Sequence, residues 1–316
     1  MNILVIGGAG YIGSHVTYEF CDQGYNVSVM DDLSTGFLSN IDKRAKFIQN
    51  SFSNENILNK ILKDIDCVIH LAALKAAGES MVDPLKYSKS NITDSINLIN
   101  KCVENNVKSF IFSSSAAVYG YPQYLPIDEK HNLNPINYYG FTKLIIEQQL
   151  LWLNDLKGLN IGLLRYFNAA GYDVSGRVKN IEKNPQNLLP IVMEVASGER
   201  SKMNVFGNDY DTHDGTCLRD YIHVNDLATG HVKAIEMILN KSKIITNLAT
   251  GNSFSVLDVI QTAQKITGQQ INYSITDRRP GDPDSLYAKS NNVLNFENKY
   301  SDLETIISSM WDVYKK

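Results

Sequence analysis

Residues 3–13 read Ile-Leu-Val-Ile-Gly-Gly-Ala-Gly-Tyr-Ile-Gly, an aliphatic run that ends in four glycines within seven positions. The run predicts a buried strand over 2–6, and the amphipathic stretch 12–23 predicts a helix. A strand joined to a helix by so few residues needs a tight turn, which Gly7 and Gly8 permit. Gly10 lets backbone approach an anion, and Gly13 allows close contact between helix and strand. The spacing fits G-x-G-x-x-G and puts the N–H groups of a helix start, at Tyr11 and Ile12, where a pyrophosphate binds. A ligand-free glycine turn is the duller alternative, and the next segment weighs against it. A second strand over 26–30 leads into Asp31 and Asp32, placed to take the ribose hydroxyls of an adenosine and to repel a 2′-phosphate. The pattern therefore predicts NAD rather than NADP.

The same period continues. Strands are predicted at 46–49, 67–71, 109–113 and 160–165, and helices at 55–63, 88–105 and 139–157, with Asn54 and Asn137 as N-caps. Such alternation implies an α/β fold, a doubly wound parallel sheet of Rossmann-like type with right-handed crossovers. After Asn168 the texture changes. A polar stretch at 171–186 precedes a helix at 187–197, a strand at 203–206, turns at 209–215 and an extended segment at 219–224. Helix 226–239, strand 244–248, helix 255–267 and strand 270–274 follow. The expected division is a dinucleotide-binding domain over 1–168 and a smaller, interleaved α/β substrate lobe over 169–316, some of it returning to the first sheet. Ligands of such folds bind at the carboxyl ends of the strands.

Bulk properties exclude several classes. At 316 residues the chain can bury a large core. Its net charge of −4, with no basic stripe, argues against nucleic acid. No apolar run approaches the roughly 20 residues a membrane span needs, and the apolar start lacks the basic flank of a signal peptide. Cys21, Cys67, Cys102 and Cys217 show no metal or redox spacing and read as reduced thiols of a cytoplasmic protein. The histidines show no ligand pattern and there is no G-x-S-x-G elbow, so no metal and no serine-hydrolase chemistry is expected.

The chemistry is read from Tyr139 and Lys143, a Tyr-x-x-x-Lys pair sharing one helix face, and from Ser115 at the end of the serine run 113–115. A phenol has a pKa near 10, and bringing it to about 7 takes roughly 4 kcal/mol of preferential phenolate stabilisation. A nearby ammonium and a positively charged nicotinamide supply that in a dry cleft. Ser115 is placed to hydrogen-bond the reacting oxygen. Alone, each of the three has an ordinary structural explanation; together with the glycine loop they point to hydride chemistry at an alcohol carbon.

Several further motifs carry a family resemblance. They are Gly-Gly-Ala-Gly-Tyr-Ile-Gly-Ser-His at 7–15, His-Leu-Ala-Ala-Leu-Lys at 70–75, Phe-Ser-Ser-Ser-Ala-Ala-Val-Tyr-Gly at 112–120 and Arg-Tyr-Phe-Asn at 165–168. The carboxyl half adds Phe-Gly-Asn-Asp-Tyr at 206–210, Arg-Asp-Tyr-Ile-His-Val at 219–224 and Arg-Arg-Pro-Gly-Asp at 278–282. In this order they resemble the UDP-hexose 4-epimerases, a branch of the extended short-chain dehydrogenase/reductase family, over nearly the whole chain. The resemblance implies reversible C4 epimerisation of UDP-hexoses through a transient 4-keto sugar. Tyr139 would be the base, Lys143 its electrostatic partner and Ser115 the donor to the C4 oxygen. NAD would be held by Gly7, Gly10, Tyr11, Ile12, Gly13, Asp31, Asp32, Ser51, Phe52, Leu71, Ala72, Ala73, Lys75, Asn91 and Phe167, with Tyr139 and Lys143. The nucleotide-sugar would contact Lys75, Ser115, Asn168, Asn187, Leu188, Asn204, Phe206, Arg219, Tyr221, Arg279, Asp282 and Leu286. Arg219 and Arg279 suit a diphosphate and Phe206 a uracil face, although an ordinary ion pair and an ordinary core position remain open for them.

Two positions depart from the family. Ser51 stands where an adenine-contacting Asp is common, and Leu286 stands where a bulkier wall, often Tyr, closes the sugar pocket. The shorter Leu predicts room for an N-acetyl group. Dehydratases of the superfamily carry an Asp-Glu pair after the catalytic serine or threonine; Ala116 and Ala117 stand there, against dehydration. A UDP-sugar decarboxylase or reductase, and a non-catalytic dinucleotide sensor, are the remaining alternatives. Apolar residues on more than one face of 88–105 (Ile92, Ile96, Ile99) and 139–157 (Leu144, Ile145, Leu151) are compatible with a two-fold, four-helix contact of the homodimer that relatives form, and also with ordinary packing on the sheet.

Overall fold

The computed structural model describes residues 1–182, 185–279, 282–289 and 293–315. Its first strands are β1 (Asn2–Ile6), β2 (Asn26–Asp31), β3 (Lys46–Gln49), β4 (Cys67–His70), β5 (Ser109–Ser115), β6 (Asn160–Tyr166) and β7 (Asn168–Ala170). The remainder are β8 (Met203–Phe206), β9 (Leu218–His223), β10 (Lys243–Leu248), β11 (Ser253–Ser255), β12 (Tyr273–Thr276) and β13 (Ser285–Leu286). Helices α1 (Tyr11–Asp22), α2 (Glu55–Ile61), α3 (Ala77–Val82), α4 (Pro84–Tyr87), α5 (Asp94–Glu104) and α6 (Tyr138–Lys157) lie in the amino half. Helices α7 (Leu188–Ala196), α8 (Val224–Lys241), α9 (Val256–Thr267) and α10 (Leu303–Tyr314) follow.

Seven parallel strands form the main sheet in the order β10-β6-β5-β4-β1-β2-β3. Both of its faces are covered, which is why β4 and most of β1 and β5 are buried at successive positions rather than at alternate ones. Val16 and Phe20 of α1 and Leu227, Ala228 and Ile235 of α8 join one core cluster. Leu58 of α2, Leu98 of α5 and Ile146 of α6 join another. The strand order reverses beside β1, which pairs with β2 on one side and β4 on the other. That is the switch point at which such sheets bind ligands. Strand β10 comes from the carboxyl half and pairs in parallel with β6.

The smaller lobe is built on β9, which pairs with β11, β13 and β7, and on the β12-β8 pair. Its core joins Val192 and Met193 of α7, Val259 of α9, and Ile306 and Met310 of α10. No helix among the described residues is long and apolar enough to cross a membrane.

The predicted caps are present: Asn54 accepts from the Ile57 N–H and Asn137 from the Gly140 N–H. Three local differences stand out. The single helix read over 88–105 is divided into a π-helical turn at Ser88–Thr93 followed by α5. The wider turn holds Asn91, whose side chain bonds two other segments. The strand read at 270–274 lies at Tyr273–Thr276, because its register is set by parallel pairing with β8. The extended segment 219–224 ends one residue earlier, with His223 as N-cap of α8. Elements α3, α4, α10, β7, β11 and β13 have no counterpart in the pattern reading; four are very short, and β7, β11 and β13 exist by pairing with β9.

Candidate active site

The glycine turn is shaped by contacts a side chain would destroy. Gly7 has φ +82°, and a Cβ there would lie 2.7 Å from the Ala72 nitrogen; one on Gly13 would lie 2.0 Å from the Gly7 carbonyl oxygen. Gly10 is the N-cap of α1 and carries no capping side chain, so the first-turn N–H groups at Tyr11, Ile12 and Gly13 present donors to an anion. Asp31 ends β2 and its carboxylate accepts from the Ala9 N–H (2.9 Å) and the Leu33 N–H (2.8 Å), bracing the same turn. Burial pushes its carboxyl upward, and those two N–H groups pull it back. Asp32 accepts from the Ser34 N–H.

The facing wall comes from the loop after β4. The Leu71 and Ala72 N–H groups both donate to the Ile6 carbonyl, and Ala73 continues that loop. Buried Asn91 accepts from the Leu74 N–H (2.9 Å) and donates to the Leu74 carbonyl (2.9 Å) and to Thr142 Oγ1 (3.3 Å). It thus fastens the loop to α6. Phe52 stands edge-on to His70, ring centres 5.1 Å apart, and Ser51 bonds Ser53. Lys75 pairs with Glu182 at 2.7 Å, from the polar stretch of the carboxyl half. The Tyr11 side chain turns away from the turn: its hydroxyl donates to the Gly171 carbonyl and its ring packs against His15 and Tyr172. Phe167 is buried just after β6.

The three proposed catalytic side chains meet where β5 ends and α6 begins. Ser115 is the last residue of β5; its side chain accepts from the Ala117 N–H at 3.2 Å and lies close enough to the Tyr139 phenol to lower its pKa. Lys143 Nζ donates to the Ser113 carbonyl at 2.8 Å and lies 4.8 Å from the Phe112 ring centre and 5.8 Å from that of Tyr139. The Tyr139 N–H is held by Ser80 of α3 at 3.0 Å. The phenol lies above its ordinary pKa, not below: burial raises it, and the nearby Ser115 hydroxyl only partly offsets that. Burial likewise pushes Lys143 down, to about 7, with Glu147 pulling it up. An acidified phenol thus requires positive charge beyond what this pocket supplies by itself.

The residues expected to anchor the nucleotide gather at one edge of the smaller lobe. The Arg279 guanidinium lies 4.3 Å over the Phe206 ring and 4.0 Å from Asp282, which also lies 3.5 Å from Arg219. Arg219 is largely buried and bonds the Leu218 carbonyl, while Arg279 is half exposed. Residues 280 and 281 of that arginine motif lie outside the described residues. In β8, Asn204 and Phe206 share one face, opposite buried Met203 and Val205. Leu286 pairs with Arg219 in register and packs on the cluster of Phe167, Ala116 and Tyr119. Asn168 donates to the Asp220 carbonyl; Tyr221 is buried in the lobe's core. Asn187 caps α7 without a side-chain bond, next to half-buried Leu188.

Pattern reading missed two buried networks. Asp220 accepts from the Thr250 N–H and hydroxyl, the Gly251 N–H and the Ala288 N–H, tying β9 to the end of β10 and to the segment beyond β13. Glu147 of α6 and Arg165 of β6 form a fully buried ion pair between helix and sheet. Only a charged residue inside an apolar period hinted at the second. His213, Asp214 and Asp258 also come together at the surface, but Asp214 bonds Thr216 and Ser255, and Asp258 caps α9.

A doubly wound sheet with a glycine turn at its switch point is the architecture of a dinucleotide-binding enzyme. Residues 3–249 match the NAD dependent epimerase/dehydratase family, and the chain belongs to that family. It is 41% identical to the UDP-glucose 4-epimerase of Lactobacillus helveticus, over all of this chain and 97% of the relative. The structure of UDP-glucose 4-epimerase from Brucella ovis in complex with NAD superposes with a TM-score of 0.95 at 39% identity, covering 99% and 98% of the two chains. That from Bifidobacterium longum in complex with NAD⁺ and UDP does so at 0.93 and 38%, with the same coverage.

Proposed function

We propose that this protein inverts C4 of UDP-hexoses, interconverting UDP-glucose and UDP-galactose with a resident NAD. The observation that carries this is the convergence of Ser115, Tyr139 and Lys143 at one strand end, in a chain 41% identical to such an epimerase along its whole length. The cradle suits NAD: the side-chain-free turn at Gly7, Gly10 and Gly13 leaves backbone donors for the diphosphate, and Asp31 favours ribose hydroxyls over a 2′-phosphate. When bound, NAD supplies the hydride acceptor and donor. Tyr139 takes the proton of the C4 hydroxyl as C4 is oxidised and returns it once the opposite face is reduced. Ser115 orients that oxygen, and the Lys143 ammonium favours the phenolate. Arg219, Arg279 and Phe206 would hold the uridine diphosphate away from the chemistry, so the keto sugar turns over without leaving.

Leu286, beside Phe167, supports acceptance of UDP-N-acetylhexoses. Exposed Trp152 and Leu156 on α6 and Leu85 on α4 support a homodimer, and four free cysteines support a cytoplasmic setting. Purified protein given UDP-galactose, without added cofactor, should yield UDP-glucose, and denaturation should release NAD. Carbon loss from the sugar, or net consumption of added NADH, would instead favour the decarboxylase or reductase reading.

A further inference from the structure

Below Lys143 on the same face of α6 lies Glu147, one turn further on, with 1% of its side chain exposed. Arg165 of β6 grips it with two bonds, Nε to Oε1 at 2.9 Å and Nη2 to Oε2 at 2.7 Å. Ser114 donates a third. Arg165 is itself held, donating to the Tyr119 hydroxyl, which donates in turn to Asn247 of β10. Three consecutive serines of β5 thus face three successive turns of α6: Ser115 lies beside Tyr139, the Ser113 carbonyl accepts from Lys143, and Ser114 donates to Glu147. A buried ion pair is a poor source of stability, so its place between helix and sheet needs another reason.

Resting on the epimerase reading, we propose that Glu147 is a positioning residue for the reaction. Clamped by Arg165 and Ser114, it fixes α6 against the serine run and supplies the negative charge that keeps Lys143 an ammonium. The groups around Lys143 leave this task to Glu147. Tyr139 shares its helix face, and Phe112 and the Ser113 carbonyl of β5 carry no charge. His70 of β4 feels the Lys143 charge and is held neutral by burial. From β6 come Tyr166, a neutral phenol, and Arg165, a second cation bonded to Glu147, so that Glu147 is the anion among these groups.

The test is the pH dependence of kcat for UDP-galactose in the NAD-loaded enzyme, for wild type, Glu147→Gln, and Glu147→Gln combined with Arg165→Met. The double variant leaves no lone buried charge, a change that buried pairs tolerate. Removing the carboxylate disfavours the ammonium, so the alkaline limb should move to lower pH by about one unit or more in both variants. At pH 8 kcat should fall at least about tenfold, with KM nearly unchanged. A limb at its wild-type position in either folded variant overturns the proposal, as does restoration of wild-type kcat by the double variant. Loss of fold in both would make Glu147 a stability residue and overturn it too. A wild-type enzyme inactive on UDP-galactose would instead fail the epimerase reading, leaving the two failures distinct.

Discussion

The two ends of the proposed site are built on opposite principles. Around Tyr139 the backbone and the flanking side chains are tied into the frame: Lys143 to β5, the Tyr139 N–H to Ser80, Asn91 across two segments. Around Phe206 and Arg279 the contacts are stacked, partly exposed and set by long ion-pair distances. Proton transfer needs atoms held within a hydrogen bond of their targets, whereas a charged fork retains much of its attraction to a diphosphate with less exact placement. On the proposed function, chemistry falls to the tightly bonded sheet end and capture of the ligand to the more open edge of the lobe.

Mutations can break this contrast. Tyr139→Phe should lower kcat about 10²- to 10⁴-fold while binding of UDP, read by calorimetry, stays near wild type. A loss of UDP binding in that variant would mean the two regions are not separate. The mirror experiment is Arg219→Met, which removes a charge-assisted contact of roughly 1.5–3 kcal/mol and should raise KM about 10- to 150-fold with kcat changed little. Half-exposed Arg279 should cost only a few-fold when truncated.

A third experiment compares acid sensitivity. His15, His70, His223 and His231 are buried, and desolvation lowers them to about 4, 3, 3 and 4. Their folded values lie below the unfolded value near 6.5, so the unfolded chain gains protons first as pH falls. The stability they allow is complete above about pH 6.5 and declines toward pH 4, by about 1.4 kcal/mol per pH unit for each histidine. Thermal midpoints measured across that window should fall, and His70→Asn should flatten the slope by one histidine's share. An unchanged slope would mean His70 is protonated in the fold. The smallest effect concerns Leu286→Tyr: turnover of UDP-N-acetylglucosamine should drop about tenfold relative to UDP-glucose. Equal loss of both substrates would remove Leu286 from the pocket wall.

What could be read from the sequence was local. Gly7 through Gly13 declare a strand, a turn and a helix within a dozen positions, and Tyr139 and Lys143 face together by helical spacing alone. Asn54 and Asn137 announce the helices they cap. The remainder depends on partners far along the chain: Asp220 reaches Thr250 and Ala288, Glu147 reaches Arg165, and Ser88–Thr93 widens into a π turn that carries Asn91 to Leu74. No window of adjacent residues encodes those meetings. The direction of the Tyr139 shift was hidden likewise, since it depends on how much of the pocket's charge the chain alone provides.

The seating of β10 beside β6 has a consequence for anyone who would shorten this molecule. A polypeptide stopped at residue 168 would keep the turn and the proposed catalytic trio but lose its seventh strand, leaving β6 with a bare row of amides open to foreign β-strands. It would also lose α8, which roofs the face beside α1. Ribosomal synthesis must therefore pass residue 248 before the first half can close, and a truncated product is expected to clump instead of working as a lesser enzyme.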